Sequence, residues 1–163
     1  MTSTLSDFSY FLLFRNALFG IACLISILIF HGISINFVSM HFERLTLQNL
    51  SASQYYRVFF HFYRAFVVIA LIHLLEILFW SLFIIGLDLI KDPVEAILFA
   101  GSCYTTAGFA PDTLPIGWKT LAFFISFTGL FSLAWTTSIM IGMTASYKQA
   151  WNQKYNHYRP DQH

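Results

Sequence analysis

The sequence predicts an all-α membrane protein of three transmembrane helices plus a re-entrant helix and the loop that follows it. Three observations carry that expectation. Only 10% of the 163 residues are charged and 57% are apolar, whereas soluble domains usually carry about 25% charge. Long stretches hold no formal charge, and at about 1.5 Å per residue they match the roughly 30 Å hydrocarbon layer of a bilayer. Between two such stretches lies an apolar run too short to cross. It is followed by a polar, glycine-containing interruption, Cys103-Tyr104-Thr105-Thr106-Ala107-Gly108-Phe109-Ala110-Pro111-Asp112.

Residues 16–40 contain no Asp, Glu, Lys or Arg. They place a first transmembrane helix near residues 11–33, within an N-terminal segment 1–40, with Gly32 and Asn36 at its exit. Residues 41–62 are amphipathic and moderately basic, with Glu43, Arg44 and Arg57. Tyr55, Tyr56 and Tyr63 suit the headgroup level. A cytoplasmic or interfacial linker, as a short helix or turn, is expected there.

A second span, residues 65–87, carries one formal charge, Glu76, with His73 just before it. Lys91, Asp92 and Pro93 then break the pattern. Pro93 with Glu95 reads as the first turn of a new helix, because proline is pre-set for that position and an acid favours the positive end of the helix dipole. That helix, about residues 94–103, has the length of a re-entrant or buried segment. Non-helical backbone at membrane depth is tolerated only where it is buried in protein or lines a water-filled cavity. Residues 114–119, with Pro115, Gly117 and Trp118, read as a return to the interface. The third span, residues 120–147, is uncharged, and residues 148–163 form a short polar tail.

Lys and Arg in short loops set orientation. Arg44, Arg57 and Arg64 lie between the first two spans, and Lys148, Lys154 and Arg159 follow the third. Arg15, Lys91 and Lys119 lie on the other side. This asymmetry puts the first loop and the C-terminus in the cytoplasm and the N-terminus outside, in a multi-pass cell-membrane protein.

Composition also excludes function classes. A net charge of +1 gives no electrostatic case for nucleic acid. Cys23 and Cys103 make no metal pattern. No phosphate loop, metal-ligand spacing or nucleophile–base arrangement is present, so no enzyme is expected. No span carries an arginine ladder, which argues against voltage sensing. A polar, glycine-containing stretch between a half-length and a full-length helix is instead how a chain lines an ion path with backbone carbonyls.

The run Glu95-Ala96-Ile97-Leu98-Phe99-Ala100-Gly101-Ser102-Cys103-Tyr104-Thr105-Thr106-Ala107-Gly108-Phe109 resembles the pore helix and selectivity filter of tetrameric potassium channels. That pattern is a short aromatic-containing helix, then Thr-Thr-x-Gly-Tyr/Phe-Gly-Asp, a Pro-containing loop and a pore-lining helix. Glu95, Thr105, Thr106, Gly108 and Phe109 fit it. Gly129, 20 residues past Phe109, stands where the resemblance places the hinge glycine of the inner helix. The similarity covers residues 65–143.

The resemblance implies a pore domain at residues 63–147, with outer helix, pore helix 94–103, filter 106–110 and inner helix 120–147. It implies a homotetramer in the lipid bilayer, with potassium ions held by the backbone carbonyls of Thr106, Ala107, Gly108 and Phe109, and no other cofactor. Ala110 is the fifth filter position. The Phe109 ring would brace the filter, and Asp112 would concentrate cations at the mouth or be an exposed loop acid. Small residues at Ser126, Gly129, Ser132, Ala134 and Ser138 would let inner helices approach closely.

Two departures stand out. Ala110 replaces the second filter glycine, at a cost of about 1 kcal/mol or more if it must adopt left-handed dihedrals. Pro111 displaces the acidic residue to Asp112. The expected function is passive transport of a monovalent cation, potassium first. The alternatives are a weakly selective cation pore, and a non-conducting scaffold or regulatory subunit that keeps the fold.

Glu76 is the second point of interest, because an ionisable residue inside a span is costly and marks function by default. His73 shares its face, and Trp80 lies one turn beyond. Three readings stay open: a polar pair holding helices in register, support of the filter from behind, and pH sensing or proton transfer. Filter support would have Glu76 reach Tyr104 or Ser102, with Thr105, His73 and Trp80 beside them.

Overall fold

The computed structural model describes residues 2–108 and 113–157. All regular structure among the described residues is helical: α1 (Thr2–Ser51), α2 (Tyr55–Gly86), α3 (Pro93–Tyr104), a single 3-10 turn at Ile116–Trp118, and α4 (Thr120–His157). Among the described residues, three segments are long and apolar enough to cross a membrane: Tyr10–Ser51, Tyr55–Gly86 and Thr120–Tyr155.

The expected linker at residues 41–62 is not a separate element. Residues 41–51 continue α1 and residues 55–62 already belong to α2. The physical reason is local, since residues 33–51 contain neither Pro nor Gly to interrupt the helix. The chain reverses only at residues 52–54. There Gln54 N–H donates to Asn49 C=O at 2.8 Å and Ser53 N–H donates to Leu50 C=O at 3.1 Å, with Ser53 at φ 55°. This is the Schellman arrangement that satisfies the last helical carbonyls. The polar tail expected from residue 148 is likewise helical as far as His157.

The chain divides into two compact units. The first joins the residues up to His31 with His73–Leu133. Its core is built around α3, where Phe99, Ala100 and Tyr104 meet Trp80 and Ile84 of α2 and Leu121 and Ile125 of α4. Within it α1 comes close to α4 at Gly20, where a Cβ would stand 2.5 Å from the Phe124 ring. Small residues serve this purpose between apolar helices, where van der Waals fit rather than water expulsion drives association.

The second unit joins Gly32–Ile72 with residues from Ala134 onward. Ile35, Phe42, Ala65, Ile69 and Met143 form its core. The Tyr147 ring lies 4.9 Å from Phe59 and 4.8 Å from Phe62. Lys154 Nζ sits 4.0 Å over the Tyr56 ring, a cation–π contact. Many large apolar side chains face outward along the helices, including Phe19, Ile29, Phe66, Leu82, Phe123 and Leu130. On a water-soluble protein such faces would be a liability; they suit helices long and apolar enough to cross a membrane.

Candidate functional site

The site is assembled at the two ends of α3. At its start, Asp92 Oδ1 accepts from Val94 N–H at 2.7 Å and from Glu95 N–H at 3.0 Å. Pro93 occupies the first helical position and Glu95 the first turn. Three orphan-donor problems of a helix N-terminus are thereby answered within four residues: two N–H groups are capped and a third is removed by proline.

The other end departs from regular geometry. Thr106 N–H donates to Cys103 C=O at 3.0 Å and Ala107 N–H donates to Ser102 C=O at 2.9 Å. Together these make a second Schellman closure, with Thr106 at its left-handed position, φ 58°. Glycine normally fills that position; a β-branched residue there is an outlier. Such strain costs on the order of 1–3 kcal/mol and persists only where the surroundings impose it. Gly108, two residues on, is again left-handed, φ 76°.

Three contacts surround this end of α3, one within α3 and two from α4. Thr105 Oγ1 donates to Gly101 C=O at 2.8 Å. From α4, Ser126 Oγ donates to Cys103 C=O at 2.8 Å. Also from α4, the backbone of Gly129 lies so close to Tyr104 that a Cβ on it would stand 2.0 Å from the Tyr104 carbonyl oxygen. The expected hinge glycine is thus placed as the seat on which the end of α3 rests.

Behind α3 lies a chain of short hydrogen bonds. Tyr104 OH donates to Glu76 Oε2 at 2.6 Å. Having one proton, that hydroxyl accepts from the His73 ring, whose Nδ1 lies at 2.7 Å and carries the hydrogen. The other carboxyl oxygen of Glu76, Oε1, accepts from His31 Nδ1 at 2.6 Å. His31 and Glu76 are fully buried, and Tyr104 is nearly so. An unpaired polar group at this depth would cost several kcal/mol, roughly; here each finds a partner. One donor acceptor chain therefore ties α1, α2 and α3 together.

The same residues can hold a metal ion. A ligand atom from each of His31, His73 and Glu76 lies within 4.8 Å of the others, and two imidazoles with a carboxylate suit a borderline divalent metal such as zinc. This is a different site from the carbonyl filter expected at residues 106–109.

Of the residues singled out in the sequence, Glu76, His73 and Tyr104 are brought together. Ser102 Oγ turns instead to Phe99 C=O, at 2.9 Å. Trp80 is fully buried in the first core, edge-on to Phe83, and its indole N–H meets no hydrogen-bond partner among the described residues. Thr105, Thr106, Ala107 and Gly108 are exposed at the end of α3. Phe109, Ala110 and Asp112 lie outside the described residues, as does Pro111.

His31 is the functional-site residue that the sequence reading passed over. Its signal was present: it is the lone titratable side chain in the otherwise uncharged run 16–40, apart from the weakly acidic thiol of Cys23. Compared with known protein families, curated proteins and solved structures, the chain matches none.

Proposed function

We propose that the chain is a passive monovalent-cation channel, selective for potassium, in which several copies surround a filter made by residues 106–110. The observation that carries this reading is the end of α3. A helix of 12 residues, too short to cross a bilayer, stops in a strained threonine at φ 58° followed two residues later by Gly108 at φ 76°. Left-handed dihedrals at two alternate residues make this a stretch of non-helical backbone of the kind tolerated at membrane depth where it lines a water-filled path.

The remaining features support the same reading. Thr106, Ala107 and Gly108 are exposed, as residues that face a cation or a neighbouring copy must be. The carbonyl end of α3 carries the negative end of its dipole and favours a cation nearby. One chain supplies one strand of the filter, and rings of carbonyls need closed cyclic symmetry, with four copies the expected number. The chain from His73 to His31 holds the back of α3 rigid, acting as the filter's support.

The test is potassium and sodium flux through liposomes containing the purified protein. Potassium flux well above sodium flux, abolished by Gly108→Asp, is the expected result. Equal fluxes would replace it with a weakly selective pore, the reading that Ala110 and Pro111 favour in the sequence. Absence of flux from a correctly assembled oligomer would overturn the proposal in favour of a non-conducting scaffold.

A further inference from the structure

The second compact unit contains a groove of about 230 Å³ between α1 and α2. Phe37, Val38 and Val68 supply apolar wall, and His41, His61 and Arg64 supply polar groups. No Asp or Glu is among the described residues that line it. We propose that this groove binds an anionic phospholipid, its phosphate held by Arg64, His41 and His61 and an acyl chain lying along Phe37, Val38 and Val68.

The position of the basic groups along the chain is the first argument. His41 directly follows the uncharged run 16–40, and Arg64 directly precedes the uncharged run 65–75. Both therefore stand where hydrocarbon gives way to headgroups, on the same side of the bilayer. A cationic pocket between helices at that level suits an anionic headgroup. A free phosphate ion would have no use for the apolar wall that continues from it toward the hydrocarbon.

The second argument is hydrogen-bond chemistry. Arg64 Nη2 donates to His41 Nε2 at 2.9 Å. Because a guanidinium has no acceptor, that imidazole nitrogen carries no proton and the ring's N–H is at Nδ1. The His41 ring stacks on Phe37 with an interplanar angle of 10°, which fixes it at the groove. His61 Nδ1 is buried without a hydrogen-bond partner among the described residues. Buried polar atoms are normally satisfied, and a phosphate oxygen would satisfy this one with the ring hydrogen on Nδ1. Arg64 remains an exposed, permanently charged donor with further N–H groups to offer.

Native mass spectrometry of the full-length protein in detergent tests the proposal, independently of whether the protein conducts. Phosphatidylglycerol and phosphatidylcholine are added in turn, each with and without millimolar inorganic phosphate. Phosphatidylglycerol should be retained at least tenfold more tightly than phosphatidylcholine and should resist phosphate. Retention should fall at least fivefold in Arg64→Gln and in His61→Gln, made separately so that each checks the other, and should stay unchanged in Arg57→Gln, whose arginine does not line the groove. Equal retention of the two lipids would overturn the proposal, as would displacement by inorganic phosphate. So would a change in the number of subunits in Arg64→Gln without loss of lipid, which would make the groove a contact with a second copy.

Discussion

Tyr104 is the residue on which most of the site depends. Its hydroxyl links Glu76 and His73, and its carbonyl rests against Gly129. Tyr104→Phe removes the hydroxyl with little change of shape, and with it one hydrogen bond of Glu76 and one of His73. It should destabilise the protein by roughly 1–2 kcal/mol, since hydrogen bonds inside membrane proteins are individually modest. A fall in the thermal unfolding midpoint in detergent measures this. A midpoint equal to that of the parent would mean that the chain of hydrogen bonds does not brace α3.

Thr106 presents the opposite case, a residue whose own conformation opposes stability. Thr106→Gly relieves the left-handed strain and should stabilise the protein by about 1 kcal/mol. If the strain serves the filter, the same substitution should reduce potassium selectivity, because glycine leaves the backbone free to leave the carbonyl-lined geometry. Parallel measurement of unfolding and ion flux checks both halves of that expectation.

At the scale of elements, the joint between α3 and α4 decides whether the end of α3 stays in place. Gly129 has no room for a side chain, whereas nothing lies within 4 Å of a Cβ placed on Gly142 of the same helix. Gly129→Ala should therefore cost about 1–3 kcal/mol through overpacking, while Gly142→Ala should gain a few tenths to about 1 kcal/mol from helix propensity. A hinge at Gly129 would show the reverse signature, altered opening with the unfolding midpoint unchanged.

Helix ends explain what the sequence did not disclose about these elements. The start of α3 was legible because Asp92, Pro93 and Glu95 are strong local signals. The ends of α2 and α3, expected at residues 87 and 103, lie within one residue of that, at Gly86 and Tyr104, and of the three only the end of α1 was missed; all three helices close on a left-handed residue that is not glycine, Ser53, Asp88 and Thr106. Without a glycine or proline after residue 33, nothing in the sequence marks where α1 stops. The linker expected at residues 41–62 came from reading amphipathicity as a break, when a helix that leaves the hydrocarbon simply changes its surface.

At the scale of the whole molecule, three apolar helices and one short helix give a membrane protein. The candidate site was legible in part for a physical reason. A carboxyl inside a span demands a partner, so Glu76 was expected to meet His73, or Tyr104 or Ser102 behind the short helix, and of these Tyr104 bonds it directly. His31 could not be paired with Glu76 by periodicity, because 45 residues and a helix reversal separate them.

The most direct test is the reversal potential of currents across a planar bilayer, with potassium on one side and sodium on the other. A selective carbonyl filter predicts a reversal potential displaced far from zero, in the direction set by preferential potassium permeation, and no such current from Gly108→Asp. A reversal potential at zero, or no current from the intact oligomer, would contradict the account.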